Sequence, residues 1–288
     1  MESNKRKISL FLLALTAAMW SMGGLLIKLV NAHPLFISGM RSLISAVIIL
    51  LYVRKPRFTW SFPQIAAAVT YALTVITFVI ANKYTTAANA ILIQYTAPVY
   101  VALFSGWLLK EKVTYLDWAV IAVVFGGMIL FFMDGLDTRG LLGNIFAFVS
   151  GIGFGFFPIF MRMQKNGSPV ESVILGNIIT ALAGLPFISV SSPSGTEWLY
   201  LAVLGVFQLG IPYILFSFAI KHATALEACL ITVIEPILNP VWVMIFLGEK
   251  PGLPSIVGGV IVISAITVRS IAANSARVVR KSMRSVKS

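Results

Sequence analysis

Apolar runs of membrane-crossing length recur along this chain, each ended by a few charged, proline or turn residues. A helix needs roughly 20 apolar residues to cross the hydrocarbon core, and ten runs come close to that length. They are Ile8–Val30, Leu35–Val53, Pro63–Ala81, Thr86–Leu109, Leu116–Met133, Gly140–Met163, Val170–Val190, Trp198–Ile220, Thr224–Leu247 and Pro254–Ile271. The separators, such as Asn31-Ala32-His33-Pro34 and Arg54-Lys55-Pro56-Arg57, carry turn chemistry and leave no room for a soluble domain. The pattern predicts an all-α polytopic membrane protein. The first run has no small-residue cleavage site at its end, so it is expected to be a span and not a removed signal peptide.

Composition agrees. Of 288 residues 58% are hydrophobic and 11% charged, with mean hydropathy +0.93. A soluble domain of this size needs more polar surface than that. The formal charge of +12 would suggest nucleic acid in a soluble chain. Here it reports orientation, and no nucleic-acid partner is expected. With ten spans both ends share a face. Seventeen of the Lys and Arg residues fall on that face, three (Lys83, Arg139, Lys250) on the other, and Lys28 and Arg41 within spans. The positive-inside rule then makes both termini cytoplasmic, and the expected location is the cell inner (plasma) membrane. A lone Cys229 and the distant His33 and His222 exclude a disulfide framework and a metal cluster. There is no GxxxxGK[ST] for nucleotide, and no cofactor is expected.

Sliding the chain by 138 residues places Ala81–Lys112 on Ala219–Lys250 without a gap, and eleven of these 32 positions are identical. The chain therefore reads as two five-helix repeats: 1–133 and 140–273, with a linker over 134–139 and a basic tail over 274–288. Five is odd, so the second repeat enters the membrane from the opposite face. Inverted repeats of this kind give one chain two near-equivalent packings around a site between them, the geometry of alternating access.

Pro98-Val99-Tyr100-Val101-Ala102-Leu103 running on to Leu108-Leu109-Lys110-Glu111-Lys112, repeated from Glu235-Pro236 to Leu247-Gly248-Glu249-Lys250, resembles the signature of the EamA-type families of the drug/metabolite transporter superfamily. Arg41 and the stretch Trp20 to Gly24 (WSMGG) resemble further marks of them. The resemblance covers nearly the whole chain. It implies a ten-helix inverted-repeat carrier that works without ATP, in bacteria usually an exporter of amino acids or related metabolites.

Glu235 stands where the first repeat has Ala97. A carboxylate in mid-span must be protonated, paired or in a wet cavity. Two roles are open to it: proton carrier, or acceptor of bonds that lock its Pro-interrupted helix. At helical spacing Ala228, Thr232, Glu235, Asn239 and Trp242 share a face that could line the pathway. Asn89 and Gln94 on the fourth span suit either substrate contact or interhelical bonding. Glu111 and Glu249, at helix ends, are expected to accept from neighbouring helix N-termini and close a gate or loop, with Pro98 and Pro236 as structural interruptions. Arg41 could clamp a substrate carboxylate or pair with a loop acid such as Glu249.

Helix interruptions tend to mark cavities. Gly151, Gly155 and Pro158 share one face, and Gly210-Ile211-Pro212 lies beside Gln208 and Tyr213, with Thr70 and Thr74 at the equivalent places in the first repeat. A cavity walled by Trp20, Tyr71, Tyr95, Phe156, Phe157, Gln208 and Tyr213 would be aromatic and sparsely polar, suited to amphipathic solutes. Gly126-Gly127 and Gly258-Gly259 suggest packing against neighbours or lipid, with a homodimer contact among the options.

The expected function is secondary transport of a small amphipathic metabolite, with the lipid bilayer and a small-molecule substrate as partners. Import or exchange of a nucleoside-like, cationic or sulfonium metabolite is the alternative. An enzyme, scramblase or channel is disfavoured, since paired catalytic carboxylates, Ser-His or Cys-His arrangements, metal ligands and a ring of like charges are missing.

Overall fold

The computed structural model describes residues 2–133, 140–238 and 252–285, with side chains over 4–133, 140–238 and 252–273. Asn239, Trp242 and Glu249 of the sequence reading lie outside the described residues, as does the end of the ninth span.

Among the described residues the chain is helical without a strand, and nine helices are long and apolar enough to cross a membrane. The first to eighth spans are Asn4–Leu29, Pro34–Val53, Phe62–Tyr84, Ala87–Leu109, Tyr115–Phe132, Leu141–Met163, Val170–Phe187 and Gly195–Ala219, and the tenth is Leu253–Ala273. The ninth begins with Ala225–Ile231 and is described to residue 238. Their starts are written in the sequence. Thr114 with Asp117, Ser194 with Glu197 and Thr224 with Glu227 form capping boxes, each satisfying two otherwise orphaned backbone N–H groups. The fourth span ends on Lys110, left-handed at φ 56°, and Glu111 N–H turns back to Ser105 O at 3.3 Å.

The helix pairings obey the repeat. The third span packs on the sixth as the eighth packs on the first, and the third on the seventh as the eighth on the second. The fourth meets the sixth as the ninth meets the first. The second pairs with the seventh and the fifth with the tenth, each with its own counterpart. This pattern is what an inverted two-fold relation between two five-helix units produces. The self-paired contacts are close: a Cβ on Gly39 would lie 2.7 Å from Gly184 Cα, and one on Gly258 would lie 2.5 Å from Gly127 O. Gly127 and Gly258 are thus spent on contact within the chain, where small residues let helix backbones approach.

Interruptions also repeat. The fourth span breaks between Gln94 and Ala97, and the ninth between Ile231 and Ile234. Pro98 and Pro236 sit in the first turn of the second segment, where a missing N–H costs nothing. The first span breaks at Ser21-Met22 inside the WSMGG stretch, and the eighth carries a π-helical segment, Leu204–Gly210, before Ile211.

Both repeats are clamped together at the face from which the first span starts. Arg269 Nε donates to Asp117 Oδ1 at 2.7 Å, and its Nη1 lies 4.0 Å from Glu227 Oε1, which also pairs with Arg6. Arg162 donates to Glu111 Oε1 at 2.9 Å and to the carbonyls of Ile220 and Lys221, while Glu111 Oε2 accepts from Ala225 N–H at 3.0 Å. Glu111 therefore caps the ninth span across the repeat boundary. Arg162, in the last turn of the sixth span, is part of this clamp.

Candidate functional site

A buried cavity lies where the interrupted helices meet. Trp20, Arg41, Thr74, Gln94, Gln208, Tyr213 and Glu235 line it, together with Val75, Phe78, Phe154 and Leu209. Its open space is about 30 Å³, room for about one water.

Arg41 reaches it from the second span and is 1% exposed. Its Nη1 donates to Gln208 Oε1 at 3.1 Å and its Nη2 to Val75 O at 3.3 Å, while Nε has no partner among the described residues. No acidic group among the described residues pairs with it. A guanidinium held at this depth by neutral acceptors alone is costly, and an arriving anion would offset that cost. Gln208 can come so close because Gly23 has no side chain: a Cβ there would meet Gln208 Nε2 at 2.8 Å. Trp20 Nε1 is likewise buried without a partner among the described residues, and its ring packs 4.9 Å from Tyr213 and 5.8 Å from Phe154 and Phe216.

Glu235 enters from the second repeat. Its Oε2 lies 2.7 Å from Tyr95 Oη, which also lies 2.6 Å from Thr232 O. Thr232 Oγ1 donates to Cys229 O at 2.9 Å, so Thr232 offers the site its backbone, not its hydroxyl. Gln94 donates to Ser150 Oγ at 2.8 Å, and Ser150 donates to Thr74 O. Thr74 Oγ1 is held by Thr70 O at 2.7 Å.

Several residues singled out from the sequence stand elsewhere. Thr70 donates to Ala66 O within its own helix and does not line the cavity. Tyr71 lies behind Tyr213, its ring 4.7 Å away and its hydroxyl donating to Asn177 Oδ1 at 2.9 Å. Asn89 is at the far end of the fourth span, donating to Thr85 Oγ1 and Asn144 Oδ1. Phe156 packs on Phe104 and Phe160; Phe154, two residues earlier, faces the cavity. The reason is the glycine face of the sixth span. A Cβ at Gly151 would lie 3.0 Å from Gln94 O, and one at Gly155 2.8 Å from Tyr100 Cβ. These glycines serve close packing on the fourth span and do not open space. Val75 and Phe78 are not among the residues singled out from the sequence, although Tyr71, Thr74, Val75 and Phe78 follow the i, i+3, i+4, i+7 pattern of one helix face, a signal that points to them.

Among the described residues no three His, Cys, Asp or Glu side chains gather to hold a metal ion.

Comparison with known proteins agrees with this architecture. The model of the EamA-like transporter family matches residues 7–133 and again 141–271. A protein of Archaeoglobus fulgidus described as an uncharacterized transporter is 28% identical over 197 residues, covering 68% of this chain and 72% of the relative. Human solute carrier family 35 member G1 is 25% identical over 291 residues, covering 90% and 77%. A crystal structure of a protein at 18% identity superposes with a TM-score of 0.78, covering 93% of this chain and 98% of the other, a likeness of fold. The chain thus belongs to the EamA-like transporter family of the drug/metabolite transporter superfamily, as a multi-pass membrane transporter.

Proposed function

We propose that this transporter is a secondary carrier that exports a small amphipathic metabolite bearing a carboxylate and an amine, an amino acid or related compound, by alternating access. The observation that carries the reading is that one cavity is lined both by a buried Arg41 from the first repeat, without an ion-pair partner among the described residues, and by Glu235 from the second. Arg41 would take the substrate carboxylate and Trp20 Nε1 would add a donor. Trp20, Phe154 and Tyr213 would cover the apolar part. Glu235 would hold the amine or, when the site is empty, a proton. Both termini would lie in the cytoplasm, a reading supported by the excess of cations at the face where the chain starts, and the membrane would be the plasma membrane, as for a metabolite exporter.

The cavity in this packing is far smaller than the roughly 300–1,000 Å³ of ordinary ligand sites. Transport therefore requires the repeats to separate around it, on one face at a time. Breaking the Arg269, Arg6 and Arg162 clamps would open the face they hold.

Counterflow in proteoliposomes tests this reading. Trans substrate should accelerate exchange of a labelled amino acid. A linear voltage-driven current would mean a channel, and product formation an enzyme. A second reading rests on the aromatic wall with Glu235, which would also suit a cationic metabolite through cation–π contact. Stronger acceleration by quaternary or sulfonium cations than by amino acids would favour it.

A further inference from the structure

A second cavity, of about 370 Å³, opens between the ends of the second and eighth spans and the start of the seventh. It is separate from the central site and lies at the seam of the two repeats. Val53 is the last residue of the second span, Val170 the first of the seventh helix, and Lys221 lies just past the end of the eighth span. The cavity therefore sits at the boundary of apolar and polar membrane. Val53, Val170, Tyr52 and Phe218 form an apolar wall, and Tyr52 and Phe218, edge to face at 6.3 Å, remain 54% and 47% exposed. Lys221 and Ser168 form the polar end. The Lys221 ammonium has no hydrogen bond or ion pair to a described residue, although its backbone carbonyl is held by Arg162.

Ser168 is shared with an adjoining cavity of about 490 Å³, whose lining residues include Arg57, Ser61, Gln64 and Gln164. Apolar wall and unpaired ammonium thus meet in one groove, with the Arg57 side chain lining the adjoining cavity. Cations outnumber acids around it: Arg54, Lys55, Arg57 and Lys165 are nearby in the chain, while Glu171, next to Val170, is buried and accepts from Arg57 N–H at 3.3 Å, and Glu111 is paired with Arg162.

We infer that this groove binds one anionic phospholipid, its phosphate on Lys221 and Ser168, its acyl chains along Tyr52 and Phe218, and its headgroup towards Arg57. Basic pockets between helix ends are suited to acidic headgroups, and aromatic rings favour the headgroup level. Because the groove is built from both repeats, a bound lipid favours the packing described here over any that separates the second and eighth spans.

Native mass spectrometry of the full chain in detergent, with phosphatidylglycerol and phosphatidylcholine of matched acyl chains, tests the site. One phosphatidylglycerol should be retained about fivefold better than phosphatidylcholine, the factor expected of one cation near an acidic lipid. K221Q should remove that preference, whereas K110Q, which deletes a cation of the same face outside the groove, should keep it. V53W, filling the groove, should lower retention, and K221Q carries the test alone if V53W does not fold. Glycerol phosphate at millimolar concentration should not displace the lipid. Equal retention of the two lipids, full preference in K221Q, or displacement by glycerol phosphate would each overturn the assignment. None of these readings depends on the identity of the transported solute.

Discussion

Tyr95 Oη stands 2.7 Å from Glu235 Oε2 and 2.6 Å from Thr232 O, joining the fourth span of one repeat to the ninth of the other. A phenol has one hydrogen, and a carbonyl oxygen can only accept. When Tyr95 donates to Thr232 O, the bond to Glu235 exists only if a protonated Glu235 donates to Tyr95. When Tyr95 donates to an ionised Glu235, the carbonyl loses this donor and keeps the backbone N–H of Glu235 at 2.9 Å. The phenol can therefore switch between two acceptors as the carboxyl gains or loses a proton, and the switch spans the two repeats.

That arrangement makes Glu235→Gln informative. Proton-driven transport should be lost and the remaining exchange should become independent of pH, while counterflow persists. Tyr95→Phe should retain a pH dependence with a displaced midpoint. The measurement is initial rate against pH in proteoliposomes. A Glu235→Gln protein with the wild-type pH profile would leave this carboxyl a purely structural role.

Among the described residues Arg41 is held only by Gln208 Oε1 and Val75 O. Its replacement by Ala should raise KM for a carboxylate substrate roughly tenfold to a hundredfold, the value of hydrogen bonds to a charged group. The methyl ester of the same substrate should respond far less. Equal effects on acid and ester would show that Arg41 orders the helices and does not touch the solute.

The clamp between Asp117 and Arg269 predicts a stability effect. With side chains 10% and 9% exposed, loss of one partner should cost about 3 kcal/mol. Asp117→Asn and Arg269→Gln should each lower the melting temperature, and the double variant should be less destabilised than the sum by about 1 kcal/mol or more. Additive losses would mean the pair is not coupled.

The architecture was legible because its causes are local. Apolar runs of span length fix the helices, Thr86 and Thr224 start corresponding helices in the two repeats, and the match of Pro98 with Pro236 marks equivalent interruptions. Arg41, Gln208 and Glu235 stood out as polar groups at a depth where such groups need a reason. What was not legible depends on which face of a helix meets which neighbour. Phe154 and Phe156 are identical side chains two residues apart, and only the contact of Gly151 and Gly155 with the fourth span decides that Phe154 faces the cavity. Glu111 was expected near a helix N-terminus, but that its partners would be Ala225 and Arg162 required the fold.

Alternating exposure of the central cavity can be read from one thiol. Cys229 is the chain's single cysteine, so Cys229→Ala provides a background in which Thr74→Cys, on the cavity wall, is the only target for a membrane-impermeant maleimide. The account predicts labelling from either side of sealed proteoliposomes, slowed by substrate and without leak of a small dye. Labelling confined to one side under all substrate and pH conditions would contradict it.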